Sequence, residues 1–250
     1  MSKWFVFLLF TVHLSFTIQA SEYHFASVEN VAEQEVGQIV LTEIYQQLGI
    51  DVSISAFSAK RAEYEATTGL KDGEIMRIWA YGDENKNLIR VPTPYYHIAT
   101  TAFINKDSKL VIDDKKDLAG HRIAIVSGFK HTKAITKGLK LIVETHSTTN
   151  SFKLLEQGAV DIVLADYIDG LWTLSKLAMD HNIIASPKPL KQLNLYHYIH
   201  QDNQQLVEVV DNKIAELAAS GELDSIIQKA QHQVYGNVKT ALDFAPLVNQ

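Results

Sequence analysis

Residues 148–179 read TTNSFKLLEQGAVDIVLADYIDGLWTLSKLAM. Thr148, Thr149 and Asn150 are residue types that cap a helix N-terminus, and Gly158 is the type that ends one. Asp161 to Ala165 follows, with the unbroken apolar run Ile162-Val163-Leu164, the length and character of a buried strand. Tyr167 to Met179 returns to helix. Helix, strand and helix in immediate succession form the repeating unit of a parallel α/β sheet.

The same alternation extends N-terminally. Asp113 to Gly120 is a polar break, His121 to Val126 a strand ending at Ser127-Gly128, His131 to Lys137 a short helix and Leu139 to Glu144 a further strand. Ile183-Ile184 adds one more strand beyond the quoted segment. An earlier block repeats the pattern. Tyr23 to Val28 is a strand candidate, and Val36, Ile39, Val40, Ile44 and Leu48 recur at helical spacing before Gly49. Val52 to Phe57 alternates as a strand does, Ala59 to Thr67 reads as a polar helix, and Glu74 to Ile78 and Leu88 to Val91 are short strands. Tyr95 to Asn105 is extended chain between the two blocks, and Leu195 to Ile199 offers a second connection back. Leu206, Val209, Val210, Ile214 and Leu217 form the stripe of one terminal helix, and Leu223, Ile226 and Ile227 that of another. Two α/β lobes joined by strands are therefore expected: residues 21–104 plus 200–235 as lobe 1, 105–199 as lobe 2, and 236–250 as a C-terminal tail.

The chain has 250 residues, no cysteine and a formal charge of −6. Disulfide frameworks and cysteine zinc sites are excluded. The charge balance argues against a nucleic-acid partner, which requires a basic face. Lys3 followed by the apolar run Phe5–Phe16, with Ala20 at its end, reads as a signal peptide over residues 1–20. Without a cysteine at position 21 there is no lipid anchor, and no later stretch is long and apolar enough to span a bilayer. A monomer diffusing in the periplasm, with no membrane insertion after signal removal, is the expectation.

Five stretches together resemble the periplasmic solute-binding proteins of the polar amino-acid type, family 3 of the bacterial solute-binding proteins. They are Val36-Gly37 through Leu48-Gly49-Ile50, the run 71–78, and Pro94-Tyr95-Tyr96 with Phe103-Ile104. The other two are Asp117-Leu118-Ala119-Gly120 with the run 123–128, and the run 154–161 with Leu164-Ala165-Asp166. The resemblance covers roughly residues 23–232. It implies an α/β, two-lobe, periplasmic-binding-protein-like fold of type II, with two open, mainly parallel sheets joined by two hinge strands. It also implies that the terminal helices pack on lobe 1, and that a small-molecule ligand binds for delivery to an ABC permease or a periplasmic sensor domain. The fold is shared by a few enzymes, including a cyclohexadienyl dehydratase, and such an arogenate-type dehydratase is the alternative function.

Ligands of open parallel sheets bind beyond the carboxyl ends of the strands. Arg77 stands at such an end, where a guanidinium can clamp a carboxylate. Ser127 and Gly128 precede a helix whose free N–H groups suit an anion, with Lys130 and Thr132 as added donors. Asp166 ends the Asp161–Ala165 strand; it is either a helix N-cap or, as the resemblance implies, the holder of an α-amino group. Tyr95, Tyr96, Trp79, Tyr81 and Phe129 are candidate aromatic walls. One departure stands out. The Thr and Arg that follow the third strand in transport members are missing from the run 79–85, so Arg77, or Arg61 in the neighbouring turn, is the candidate replacement. No nucleophile elbow and no HExxH helix occur, so no catalytic residue, metal or cofactor is expected. An amino acid or related carboxylate is the expected ligand.

Overall fold

The computed structural model describes residues 22–236. The expected signal peptide, and all but the first residue of the expected tail, lie outside the described residues. The first block runs β1 (Tyr23–Val28), α1 (Ala32–Gln47), β2 (Val52–Phe57), α2 (Ala59–Thr67), β3 (Gly73–Ile78), α3 (Tyr81–Glu84) and β4 (Leu88–Arg90). The long strand β5 (Tyr96–Asn105) crosses to the second block: β6 (Ile123–Val126), α4 (Lys130–Thr136), β7 (Ile142–Thr145), α5 (Thr148–Glu156), β8 (Ile162–Asp166), α6 (Tyr167–Leu177) and β9 (Ile183–Ala185). Strand β10 (Lys191–His200) returns, and α7 (Gln205–Ser220) and α8 (Glu222–Tyr235) close the described chain.

The strands follow the order β2-β1-β3-β10-β5-β8-β6-β7, with β4 beside β10 and β9 beside β5. β1 is parallel to β2 and β3, and β6 is parallel to β7 and β8. These two parallel blocks are connected by β5 and β10, which pair antiparallel with each other and with β8 and β3. The two expected sheets thus meet through the two hinge strands in one hydrogen-bonded path. β10 divides its pairing: residues 191–195 lie against β5, while 195–200 lie against β3 and β4.

Alternation explains the second block. Along β8, Ile162 and Leu164 face one core with Ile123, Ile125 and Ile135, whereas Val163 and Ala165 face another with Phe103, Phe152 and Leu174. A strand buried on both faces shows as the continuous apolar run seen in the sequence. In the first block Val36, Val40 and Ile44 of α1 pack with Phe25 and Ile75, and the α7 stripe (Leu206, Val210, Ile214, Leu217) and the α8 stripe (Leu223, Ile226, Ala230) join the same core. Trp172 of α6 also inserts there, although its helix follows β8.

Local differences from the sequence reading have physical causes. The N-cap of α5 is Ser147, whose Oγ accepts the Asn150 N–H at 3.2 Å, because the Thr148 hydroxyl donates instead to Asp169 at 2.8 Å. β7 starts at Ile142, not Leu139, since the chain first makes a turn in which Leu139 N–H donates to Thr136 O at 3.0 Å. The one-turn helix α3 carries no periodic signal and was not expected. No helix among the described residues is long and apolar enough to cross a membrane.

Candidate functional site

The carboxyl ends of β1, β3, β6 and β8 face one seam between the two blocks. Its inner chamber has a volume of ≈ 60 Å³ and is bounded by Glu33, Arg77, Lys130, His131 and Asp166, with apolar walls that include Met76 and Phe129. Outer chambers of ≈ 240 Å³ and ≈ 160 Å³ adjoin Ser127, the first with Asn30, Lys60 and Thr148, the second with Glu63, Gly128 and Glu144.

Arg77 is brought to the inner chamber by β3, but its guanidinium is already engaged. Nε donates to Glu74 Oε1 at 2.7 Å, Nη2 pairs with the same carboxylate, and Nη2 also donates to Ala59 O at 3.1 Å. The residues are three apart on β3, and the register shifts there: Tyr196 of β10 pairs with Arg77 and Tyr198 with Glu74, so the extra residue is carried by β3. Both side chains are buried, so the pair neutralises itself in a region of low dielectric. Burial alone lowers the Arg77 pKa, yet Glu74 and Tyr81 hold it above the ordinary value. The guanidinium expected as a carboxylate clamp thus borders the chamber with Nε and Nη2 already engaged by Glu74. Arg61 is no substitute. It lies on the outer face of α2, pairs with Glu65 through Nε at 2.6 Å and covers the Tyr64 ring.

Lys130, at the first turn of α4, is likewise occupied. It donates to Glu63 at 3.0 Å and to Glu84, linking the second block to α2 and α3. Thr132 is fully buried and its Oγ1 donates back to Phe129 O at 3.1 Å, so it supplies no donor to the seam. Tyr95 lies away from the chamber lining. Its ring lies in the first-block core beneath α1, and its hydroxyl donates to Ile75 O at 2.7 Å. Of the other candidate walls, Phe129 lines the chamber, Tyr81 packs with Tyr198, Tyr96 joins the core, and Trp79 is exposed beneath the Arg90 guanidinium.

Ser127 and Gly128 do reach the seam. Ser127 N–H donates to Thr145 O at 2.9 Å and its hydroxyl donates to Glu144 at 2.8 Å. Gly128 has φ +89°, and a Cβ there would stand 2.8 Å from the Ala59 Cβ. A glycine is required both by the left-handed backbone and by the approach of α2.

Asp166 is the N-cap of α6. Its Oδ2 caps α6 by accepting from Ile168 N at 2.8 Å and Asp169 N at 3.3 Å, while Oδ1 accepts from Ala99 N of the hinge strand at 2.7 Å. It still borders the inner chamber. Facing it is Glu33 of α1, which the sequence reading missed because an acidic residue in a first helical turn ordinarily serves the helix dipole. Glu33 is only 4% exposed, and no donor among the described residues reaches its Oε2. Burial first, then the Asp166 and Asp169 carboxylates, push its pKa well above the ordinary range. Asp169 is raised to about 6, chiefly by burial. His131 is lowered to about 4 by burial and by Arg77; its Nδ1 is 2.8 Å from the Thr100 hydroxyl. No group of three or more acidic, histidine or cysteine residues among the described residues is arranged to hold a metal.

No protein-family model matches the chain. An uncharacterised protein from Shewanella oneidensis is 26% identical over 202 residues, covering 78% of this chain and 75% of that protein. Among solved structures, a histidine kinase sensor domain with similarity to periplasmic binding proteins aligns with TM-score 0.74 at 16% identity, covering 84% of this chain and 96% of that one. The amino-acid ABC transporter substrate-binding protein AbpA from Streptococcus pneumoniae, bound to L-arginine, aligns with TM-score 0.68 at 17% identity, covering 86% and 97%. With two parallel blocks hinged by β5 and β10, this chain has the two-lobe, type II periplasmic-binding-protein-like fold.

Proposed function

We propose that the chain is a periplasmic solute-binding protein of the family 3 kind, exported by its signal peptide and acting as a monomer. Lobe 1 (21–104 plus 200–235) and lobe 2 (105–199) close on a small polar ligand for ABC-type uptake or for sensing. The carrying observation is that Glu33 and Arg77 from one block meet Asp166, Lys130 and His131 from the other around a shared chamber. Neither block alone forms that chamber, so a ligand contacting both favours the closed arrangement. Amino acids and related compounds are the first class to screen, and the ammonium group is the part of such ligands that the seam accommodates best. The L-arginine complex of AbpA and the kinase sensor domain share the fold and illustrate the two roles.

The test is a thermal-shift screen coupled to small-angle scattering. A ligand at 100 times its Kd is expected to stabilise the protein by about 2.7 kcal/mol and to alter the lobe separation. A screen of amino acids, amines and carboxylates that moves neither the melting temperature nor the scattering curve rejects the solute-binding reading.

A further inference from the structure

Charge around the inner chamber is not balanced. Arg77 is held by Glu74, Lys130 by Glu63 and Glu84, and burial keeps His131 neutral near pH 7. Arg77 and Lys130, the two cations at the chamber, thus each have carboxylate partners outside the chamber lining. The carboxyl groups of Glu33 and Asp166 have no cation between them. Glu33 Oε2 is buried and meets no donor, and a buried acceptor left so costs free energy that a ligand donor can recover.

We infer that the inner chamber takes the ammonium of a primary amine lacking an α-carboxylate, bound between Glu33 of α1 and Asp166 at the end of β8. This rests on the solute-binding reading and narrows its ligand class. An ammonium there supplies charge and three donors to the two carboxyls. Asp166 is fixed by three backbone N–H donors, so its position is preset. The apolar walls from Val31, Met76, Ile98 and Phe129 suit the methylene next to the ammonium. An α-carboxylate attached to that same carbon would lie beside the carboxyls of Glu33 and Asp166, while Arg77 already gives Nε and Nη2 to Glu74. A chamber of ≈ 60 Å³ admits the head of a ligand, equivalent to a few water volumes, and the ≈ 240 Å³ chamber beside it shares the walls Val28, Val31 and Phe129.

The test compares amines with the amino acids that differ from them only by the α-carboxylate: 1,4-diaminobutane with ornithine, agmatine with arginine, and 2-phenylethylamine with phenylalanine. Isothermal titration on the intact protein is expected to show at least one amine binding about tenfold or more tightly than its parent acid, the scale of one charge-assisted contact. Glu33→Gln, which preserves shape and removes a buried carboxyl, is expected to weaken that amine about tenfold while keeping or raising the melting temperature. Equal or tighter binding of the parent amino acids, with lobe closure, overturns the amine assignment and leaves the solute-binding reading standing. Unchanged amine affinity in folded Glu33→Gln also overturns it. Absence of binding by every compound on the broader screen rejects both.

Discussion

Asp169 on α6 accepts the backbone N–H of Ala32, at the first position of α1, at 3.1 Å. The same carboxyl accepts the Thr148 hydroxyl at 2.8 Å, so one buried side chain ties the start of α1 to the starts of α5 and α6. Replacing it by Ala would strand a buried N–H and a buried hydroxyl. Asp169→Ala is expected to lose about 1–3 kcal/mol in urea unfolding, and Asp169→Asn clearly less, because the amide oxygen still accepts. Equal losses in the two variants would contradict this account. Because the folded Asp169 pKa is raised to about 6, its contribution is greatest at low pH and declines as pH rises from the unfolded carboxylate value through 6.

Two histidines act in the opposite direction. His197 is wholly buried; its Nδ1–H donates to Glu74 O at 2.9 Å and its Nε2 accepts from the Tyr45 hydroxyl at 2.9 Å, which defines a neutral tautomer. Burial lowers the pKa of both His197 and His131 to about 4. The unfolded chain therefore takes up these protons first as pH falls, so the stabilisation is complete above about 6.5 and lost on descending through about 4. The magnitude is on the order of 3 kcal/mol for each. Denaturation profiles between those limits should become shallower in His197→Gln, and an unchanged slope would count against the buried neutral imidazole.

The Arg77–Glu74 pair should show strong coupling. Arg77→Ala leaves a buried carboxylate without its cation and is expected to cost about 3–5 kcal/mol. The double variant Arg77→Met with Glu74→Gln should recover most of that loss. A double-mutant cycle with no interaction free energy would show that the pair is not a closed unit, and would return Arg77 to the role of ligand clamp.

Gly128 controls how closely the two blocks approach. In Gly128→Val a β-branched residue would have to hold a left-handed backbone, at about 1–2 kcal/mol, and its Cβ would press on Ala59. The expected result is a protein that keeps its helix content but stays more open in scattering, with weaker ligand binding. Wild-type closure would refute the contact.

Amine binding should release a proton. Burial, then the Asp166 and Asp169 carboxylates facing it from the start of α6, push the Glu33 pKa well above the ordinary range, with Tyr96 and Tyr235 adjacent from β5 and α8. Proton and ammonium compete for one place, so amine affinity should rise with pH while the ligand amine itself remains protonated. Titrations in buffers of different ionisation enthalpy measure the proton directly. Affinity that falls as pH rises would reverse the sign required.

Much of the fold was legible because the signals were local. The run Ile162-Val163-Leu164 between helix caps specifies a strand buried on both faces, and the stripes from Leu206 to Leu217 and from Leu223 to Ile227 specify helices with one buried face, although Val209 of the first is exposed. The α3 turn and the start of β7 escaped, since neither carries a period. The site was legible in part. Strand ends pointed to Arg77 and Asp166, and both border the chamber. Tyr95 and Thr132 did not reach it, because residues of those types are as readily core as cleft.

Glu33 could not be singled out, for its significance depends on Asp166, 133 positions away along the chain, and on burial that no linear pattern reports. By itself the sequence determined the order of elements, the two parallel blocks and the strand ends where polar groups converge, because hydrophobic period, capping chemistry and glycine placement are short-range properties. Only the tertiary structure decided which charges are free. Whether a guanidinium meets its own Glu74 or a ligand, and whether a carboxyl faces water or another carboxyl, follows from distances set by packing across the hinge.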